Sequence, residues 1–105
     1  MKFTSFLESG NLTVVLNGEI DHHCAKSYIQ AIDAKIEAYT PSVCILDLTE
    51  VTFIDSSGVA VAINAMRAMQ HIGGHLLLTG IQQQPMKVFH AAGVDKIIEL
   101  RGVMV

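Results

Sequence analysis

Tryptophan is absent from the 105 residues, and only two cysteines, two prolines and seven Lys or Arg side chains occur. Each shortage excludes something. Cys24 and Cys44 cannot staple a disulfide scaffold, and a reducing cytoplasmic setting suits them best. Seven basic against ten acidic side chains leave a net charge of −3, so the basic footprint of a nucleic-acid binder is missing. No cluster of Lys and Arg suits an anionic membrane surface either. No apolar run approaches the roughly 18 residues of a membrane span. The stretch Met1 to Leu12 carries one Lys and no apolar core of roughly seven residues, so it does not read as a signal peptide. What the chain has is apolar content, 50% of its residues, with only 16% charged. Area scaling for this size predicts about 65% of the extended-chain surface buried on folding. With no repeat, low-complexity tract or linker-like shift, residues 1–105 read as one monomeric domain.

Periodicity supplies the elements. Phe3 to Leu7 and Leu12 to Leu16 are β-prone runs around the turn Ser9-Gly10-Asn11. Ala25, Tyr28, Ile29, Ile32, Ile36 and Tyr39 follow the helical period, with Asp21 or a neighbour as N-cap. Thr40-Pro41-Ser42 stops that helix, because proline lacks the N–H and clashes with the turn before it. Val43 to Leu46 reads as a strand buried on both faces. Val51, Phe53 and Ile54 lead into a second helix striped by Val59, Ala62, Ile63, Met66 and Met69, which Gly73-Gly74 breaks. His75 to Thr79 reads as another buried strand. Gln84 or a neighbour caps a third helix, with Pro85 in its first turn and Gly93 at its end. Lys96 to Leu100 closes the chain as a strand. The order β-β-α-β-α-β-α-β predicts an α/β domain with a mixed, mostly parallel sheet, helices covering one face or both.

Two segments could carry chemistry. Asp55-Ser56-Ser57-Gly58 stands where the Val51–Ile54 run feeds the second helix. Asp55 suits an N-cap, since its carboxylate accepts N–H groups that lack helical partners. Ser56 and Ser57 then fall in the first turn, at the positive end of the helix dipole, where a phosphoryl group would meet backbone donors. Gly58 removes a Cβ that would crowd such a group. Gly18-Glu19-Ile20-Asp21-His22-His23 forms the second segment, with Gly18 permitting a sharp exit from the strand. In this topology the two junctions could share one rim of the sheet. Taken alone, each segment is more simply a capped helix start or a solvated turn.

Rival chemistries fit poorly. A hydrolase built from Ser57, Asp55 and a histidine lacks the G-x-S-x-G elbow. His22, His23 and Cys24 are adjacent and do not converge on one metal ion, and two glycines interrupt His71 and His75. Asp47 follows a buried strand as a receiver aspartate would, but no acidic pair follows the first strand. Cys44, Met66 and Met69 read as core, and nothing marks Cys24 as nucleophilic. A contiguous apolar patch near Val59 or Ile20 would suit a partner.

Taken together, Gly18 to His23, Asp47-Leu48, Phe53 to Val59 and Ile72-Gly73-Gly74 resemble the STAS-domain anti-sigma factor antagonists, over roughly Leu12 to Leu100. The sporulation branch, which governs the forespore sigma factor, is the nearest in pattern. The resemblance implies a binding switch without catalysis, cofactor or metal of its own. The acceptor in that family is the second hydroxyl residue of the Asp-Ser-Ser-Gly motif, here Ser57, and the enzyme acting on it is the anti-sigma factor, a serine kinase with its bound nucleotide. The unphosphorylated form is expected to bind that kinase and free the sigma factor until phosphorylation ends the contact; a serine phosphatase would reverse the modification. The implied partner-binding set is Glu19, Asp21, His22, His23, Asp55, Ser56, Gly58 and Val59, with Asp21 matching a position at the kinase interface. The resemblance also admits a general stress pathway in place of sporulation. Two departures stand out: Cys24 replaces a usual Thr, with consequences for helix capping, and the sequence stops at Val105 where family members continue into a final helix.

Overall fold

In a computed structural model that describes residues 3–102, Ser9 and Gly10 take left-handed backbone, with φ of 52° and 81°. Two consecutive positive φ values match the right-handed twist of flanking strands, so the chain reverses between β1 (Thr4–Glu8) and β2 (Asn11–Ile20) in two residues. There follow α1 (Ala25–Tyr39), β3 (Val43–Ile54), α2 (Ser56–His71), β4 (His75–Ile81), α3 (Gln83–Ala91), a 3₁₀ turn at Val94–Lys96 and β5 (Glu99–Gly102). The stop at Val105 lies outside the described residues.

The sheet order is β1-β2-β3-β4-β5, antiparallel for the first pair and parallel for the other three. Right-handed crossovers that always step one strand the same way put every helix on one face. Burial agrees. Cys44, Leu46 and Leu48 are buried, while Val43, Ile45 and Asp47 between them are only half-buried. The expectation that Val43 to Leu46 and His75 to Thr79 are buried on both faces is therefore corrected. Their unbroken apolar runs arise because Val43, Ile45 and Leu77 line a face on which, among the described residues, no helix packs.

The helices pack by size as much as by hydropathy. On α1, Tyr28, Ile32 and Ile36 recur every fourth residue and are buried. Burial raises the Tyr28 phenol above its usual pKa, and its hydroxyl donates to the Asn17 carbonyl at 3.3 Å. The helix ends where Thr40, at φ 41°, donates its N–H to the Ile36 carbonyl at 2.8 Å, just before Pro41. On α2 the buried set is Gly58, Val61, Ala62, Ala65 and Met69, so the expected stripe is rotated and Val59, Ile63 and Met66 are half-buried. Small residues face the sheet because they let the helix approach closely. The last strand begins at Glu99 rather than Lys96, because Val94 and Ile98 anchor the 3₁₀ turn in the core. Among the described residues no helix is long and apolar enough to cross a membrane.

Candidate functional site

Parallel pairing of β2 with β3 sets Glu19 opposite Phe53 and Ile20 opposite Ile54. The Asp55 N–H donates to the Ile20 carbonyl at 3.4 Å. The Asp21–His23 and Asp55–Val59 segments therefore leave the sheet side by side at one rim.

Asp55 caps α2 as expected. Its backbone is extended, its Oδ1 accepts the Ser57 N–H at 2.7 Å, and its carbonyl accepts from Gly58 at 3.0 Å and Val59 at 3.3 Å. Ser56 is exposed and Ser57 half-buried in the first turn. Gly58 corrects the sequence reading in two respects. It is buried, so it offers a partner nothing; and a Cβ there would stand 2.6 Å from the Ile54 Cβ, so the missing atom makes room for β3 rather than for a phosphate.

The Asp21 segment also differs in detail. Gly18 does not end the strand: at φ 77° it sits where the β2–β3 register slips, and β2 runs on to Ile20. Asp21 is not the N-cap of α1. Its Oδ1 accepts the His23 N–H at 2.9 Å, closing a separate turn, while its carbonyl accepts from Cys24 at 3.3 Å and Ala25 at 3.0 Å. That backbone N–H, with the His23 ring beside it, holds the Asp21 carboxyl below its usual pKa. Cys24 occupies the N-cap position, and its Sγ–H donates weakly to the Glu19 carbonyl at 3.4 Å and the Asp21 carbonyl at 3.6 Å. Glu19, His22 and His23 are exposed, with the two imidazole rings 4.0 Å apart. Among the described residues no three His, Cys, Asp or Glu side chains gather as a metal site would require.

Sequence reasoning missed two residues at this rim. Between Val15↔Asp47 and Asn17↔Glu50, and again between Gly18↔Val51 and Glu19↔Phe53, β3 holds one more residue than β2. Each bulge turns the alternation over, so Val51 and Ile54 point inward and Phe53 is left 40% exposed. Asp47 serves the first bulge: its Oδ1 accepts the Thr49 N–H at 3.0 Å. The exposed apolar residue at this rim is thus Phe53, not Ile20, which is 2% exposed. Gln84 is not a cap either. It lies within α3 after the N-cap Gln82, and its side-chain amide bonds both backbone groups of Ile54. The Gln82-Gln83-Gln84 run was the only trace of that role in the sequence.

This is a mixed five-stranded sheet covered by helices on one face, and the chain belongs to the STAS domain family, whose sequence model matches residues 7–103. It is 33% identical over 84 residues to the anti-sigma F factor antagonist of Lysinibacillus sphaericus, covering 78% of this chain and 72% of that protein. It is 27% identical over 96 residues to the anti-sigma-B factor antagonist of Listeria monocytogenes, covering 91% and 83%. The fold matches the anti-sigma factor antagonist SpoIIAA in its unphosphorylated form with a TM-score of 0.81, at 24% identity over 94% of this chain and 87% of that one. For the phosphorylated form of the Bacillus cell fate determinant SpoIIAA the TM-score is 0.72, again at 24% identity, over 94% and 90%.

Proposed function

We propose that the chain is an anti-sigma factor antagonist whose binding is switched off by phosphorylation of Ser57. The observation that carries this reading is the placement of Ser57 in the first turn of α2, its N–H held by Asp55 at 2.7 Å, beside the Asp21 turn. The names of the relatives from Lysinibacillus and Listeria, and the existence of SpoIIAA in two phosphorylation states, support it. The unphosphorylated rim docks on a serine kinase that is itself the anti-sigma factor, and this docking frees the sigma factor. In the reaction the Ser57 hydroxyl oxygen attacks the γ-phosphorus of the kinase's ATP. ADP leaves, and the hydroxyl proton passes to a base on the kinase; this chain supplies the acceptor and no catalytic group.

Phosphorylation adds about −1.5 to −2 charges at the rim. At about 5 Å from Asp55 each unit repels by roughly 1–3 kcal/mol for effective dielectrics of about 80 down to 20. The helix N-terminus returns about 0.3–2 kcal/mol. On this half-exposed rim the repulsion stays toward the lower end of that range and the helix dipole offsets part of it, so the fold tolerates the group. Pressed into a surface shaped for Ser57 and Asp21, the same charge costs several kcal/mol and ends the contact. Calorimetric titration with the anti-sigma factor tests this: Ser57→Ala should bind like the wild type, and Ser57→Asp should bind more weakly. Equal affinity of Ser57→Asp and the wild type would contradict it. The relatives divide between sigma F and sigma B pathways, and a general stress circuit is the second reading, favoured by the wider coverage of the sigma-B relative.

A further inference from the structure

Strand β3 outruns β4. Their ladder runs from Val43↔His75 to Asp47↔Thr79, and β3 then continues to Ile54 without a β4 partner. Gly80 turns β4 aside at φ 67°, with the Thr49 hydroxyl packed where a Cβ would stand. Backbone N–H and C=O groups on a buried edge still need partners. Ile54 is 1% exposed; its N–H donates to Gln84 Oε1 at 2.9 Å, and its carbonyl accepts from Gln84 Nε2 at 3.0 Å. A primary amide offers one acceptor and one donor side by side, as the edge of a neighbouring strand does. Gln84 is in effect a one-residue strand next to the last residue of β3. Gln82 makes a single bond of the same kind to the Thr49 carbonyl.

We propose that Gln84 is a positioning residue for the Ser57 acceptor, an inference that rests on the phosphorylation reading above. Gln84 holds Ile54 from the β4 side, and the Ile20 carbonyl holds Asp55 from the β2 side. Between them they fix the residues from which the Asp55-Ser56-Ser57 turn projects. Gln84 touches neither the phosphoryl group nor the kinase in this scheme; it acts through Ile54 and Asp55.

Two variants test it, both assayed well below their melting temperatures. Gln84→Leu keeps bulk and removes both bonds. Gln84→Glu opposes a carboxylate to the Ile54 carbonyl at neutral pH, but its protonated form has one donor and one acceptor again. By NMR hydrogen exchange, the Ile54 amide of Gln84→Leu should exchange about tenfold faster than in the wild type. In Gln84→Glu the carboxylate still accepts the Ile54 N–H but repels the Ile54 carbonyl, so the loss of protection at neutral pH should be smaller than in Gln84→Leu. After correction for intrinsic exchange, that loss should disappear as pH falls through the glutamate titration, while Gln84→Leu shows no such recovery. With the anti-sigma factor serine kinase, ATP and Mg²⁺, both variants should lose about tenfold in kcat at neutral pH with KM unchanged, because the rim residues Asp21 and Phe53, outside the Gln84 clamp, are intact. Unchanged Ile54 exchange in Gln84→Leu would overturn the clamp whatever the kinase does. Faster exchange with an unaltered kcat would reduce Gln84 to a structural residue and overturn the proposal. A wild-type chain that takes no phosphate on Ser57 would overturn the functional reading first, and the acceptor role of Gln84 with it, so the failures are distinct.

Discussion

Gly58 carries its meaning in an atom it lacks. A methyl group there would stand 2.6 Å from the Ile54 Cβ and 3.0 Å from its Cγ2. In an unconstrained helix, Gly→Ala stabilises by about 0.5–1 kcal/mol. Here Gly58→Ala should instead destabilise by about 1–3 kcal/mol, the usual range for overpacking, as read from urea unfolding. A neutral or stabilising result would mean the helix can move away from β3. The two cysteines invite a second check. Burial pushes the Cys44 thiol up to about 12, while Cys24 is half-buried at the N-cap of α1. Iodoacetamide at pH 8 should label Cys24 in the native protein and reach Cys44 only after denaturation, as peptide mass mapping will read. Single residues with one dominant chemistry were legible in the sequence. Asp55 was, because a capping aspartate before a helix has few other uses. Gly58 was not, because its neighbour Ile54 becomes close only through the strand–helix corner.

Elements were legible wherever one period dominates. The helix around Tyr28, Ile32 and Ile36 and the turn at Ser9-Gly10 follow directly from spacing and turn chemistry. Strand β3 was legible only over Val43 to Leu46, because its two bulges change the alternation partway along and detach the Val51–Ile54 run from that pattern. Those bulges deliver Phe53 to the rim at 40% exposure, next to Glu19. A half-exposed phenylalanine at this rim contributes little to the core, and exposed substitutions usually change stability by at most about 0.5 kcal/mol. Phe53→Ser should therefore leave the melting temperature near that of the wild type. It should weaken anti-sigma factor binding by about tenfold or more, as aromatic anchors at interfaces do. A loss of stability matching the loss of binding would place Phe53 in the fold instead.

Across the described residues, all three helices lie on one face and the candidate corner lies at one rim. The sequence order predicted the sheet, yet left open one covered face or two. The answer depends on every crossover stepping in the same direction, which no local pattern encodes. The adjacency of the Asp21 and Asp55 segments likewise comes from β2–β3 pairing, between residues more than thirty positions apart. With a net charge of −3 spread over the chain, one phosphate at that rim is a large local change, and it needs no rearrangement of the sheet to be felt. The most direct test of the switch is to incubate the protein with its anti-sigma factor serine kinase, ATP and Mg²⁺ and map the product by tandem mass spectrometry. One phosphate on Ser57, absent from Ser57→Ala, is the expected result; stoichiometric phosphate on Ser56, or on the Ser57→Ala variant, would contradict it.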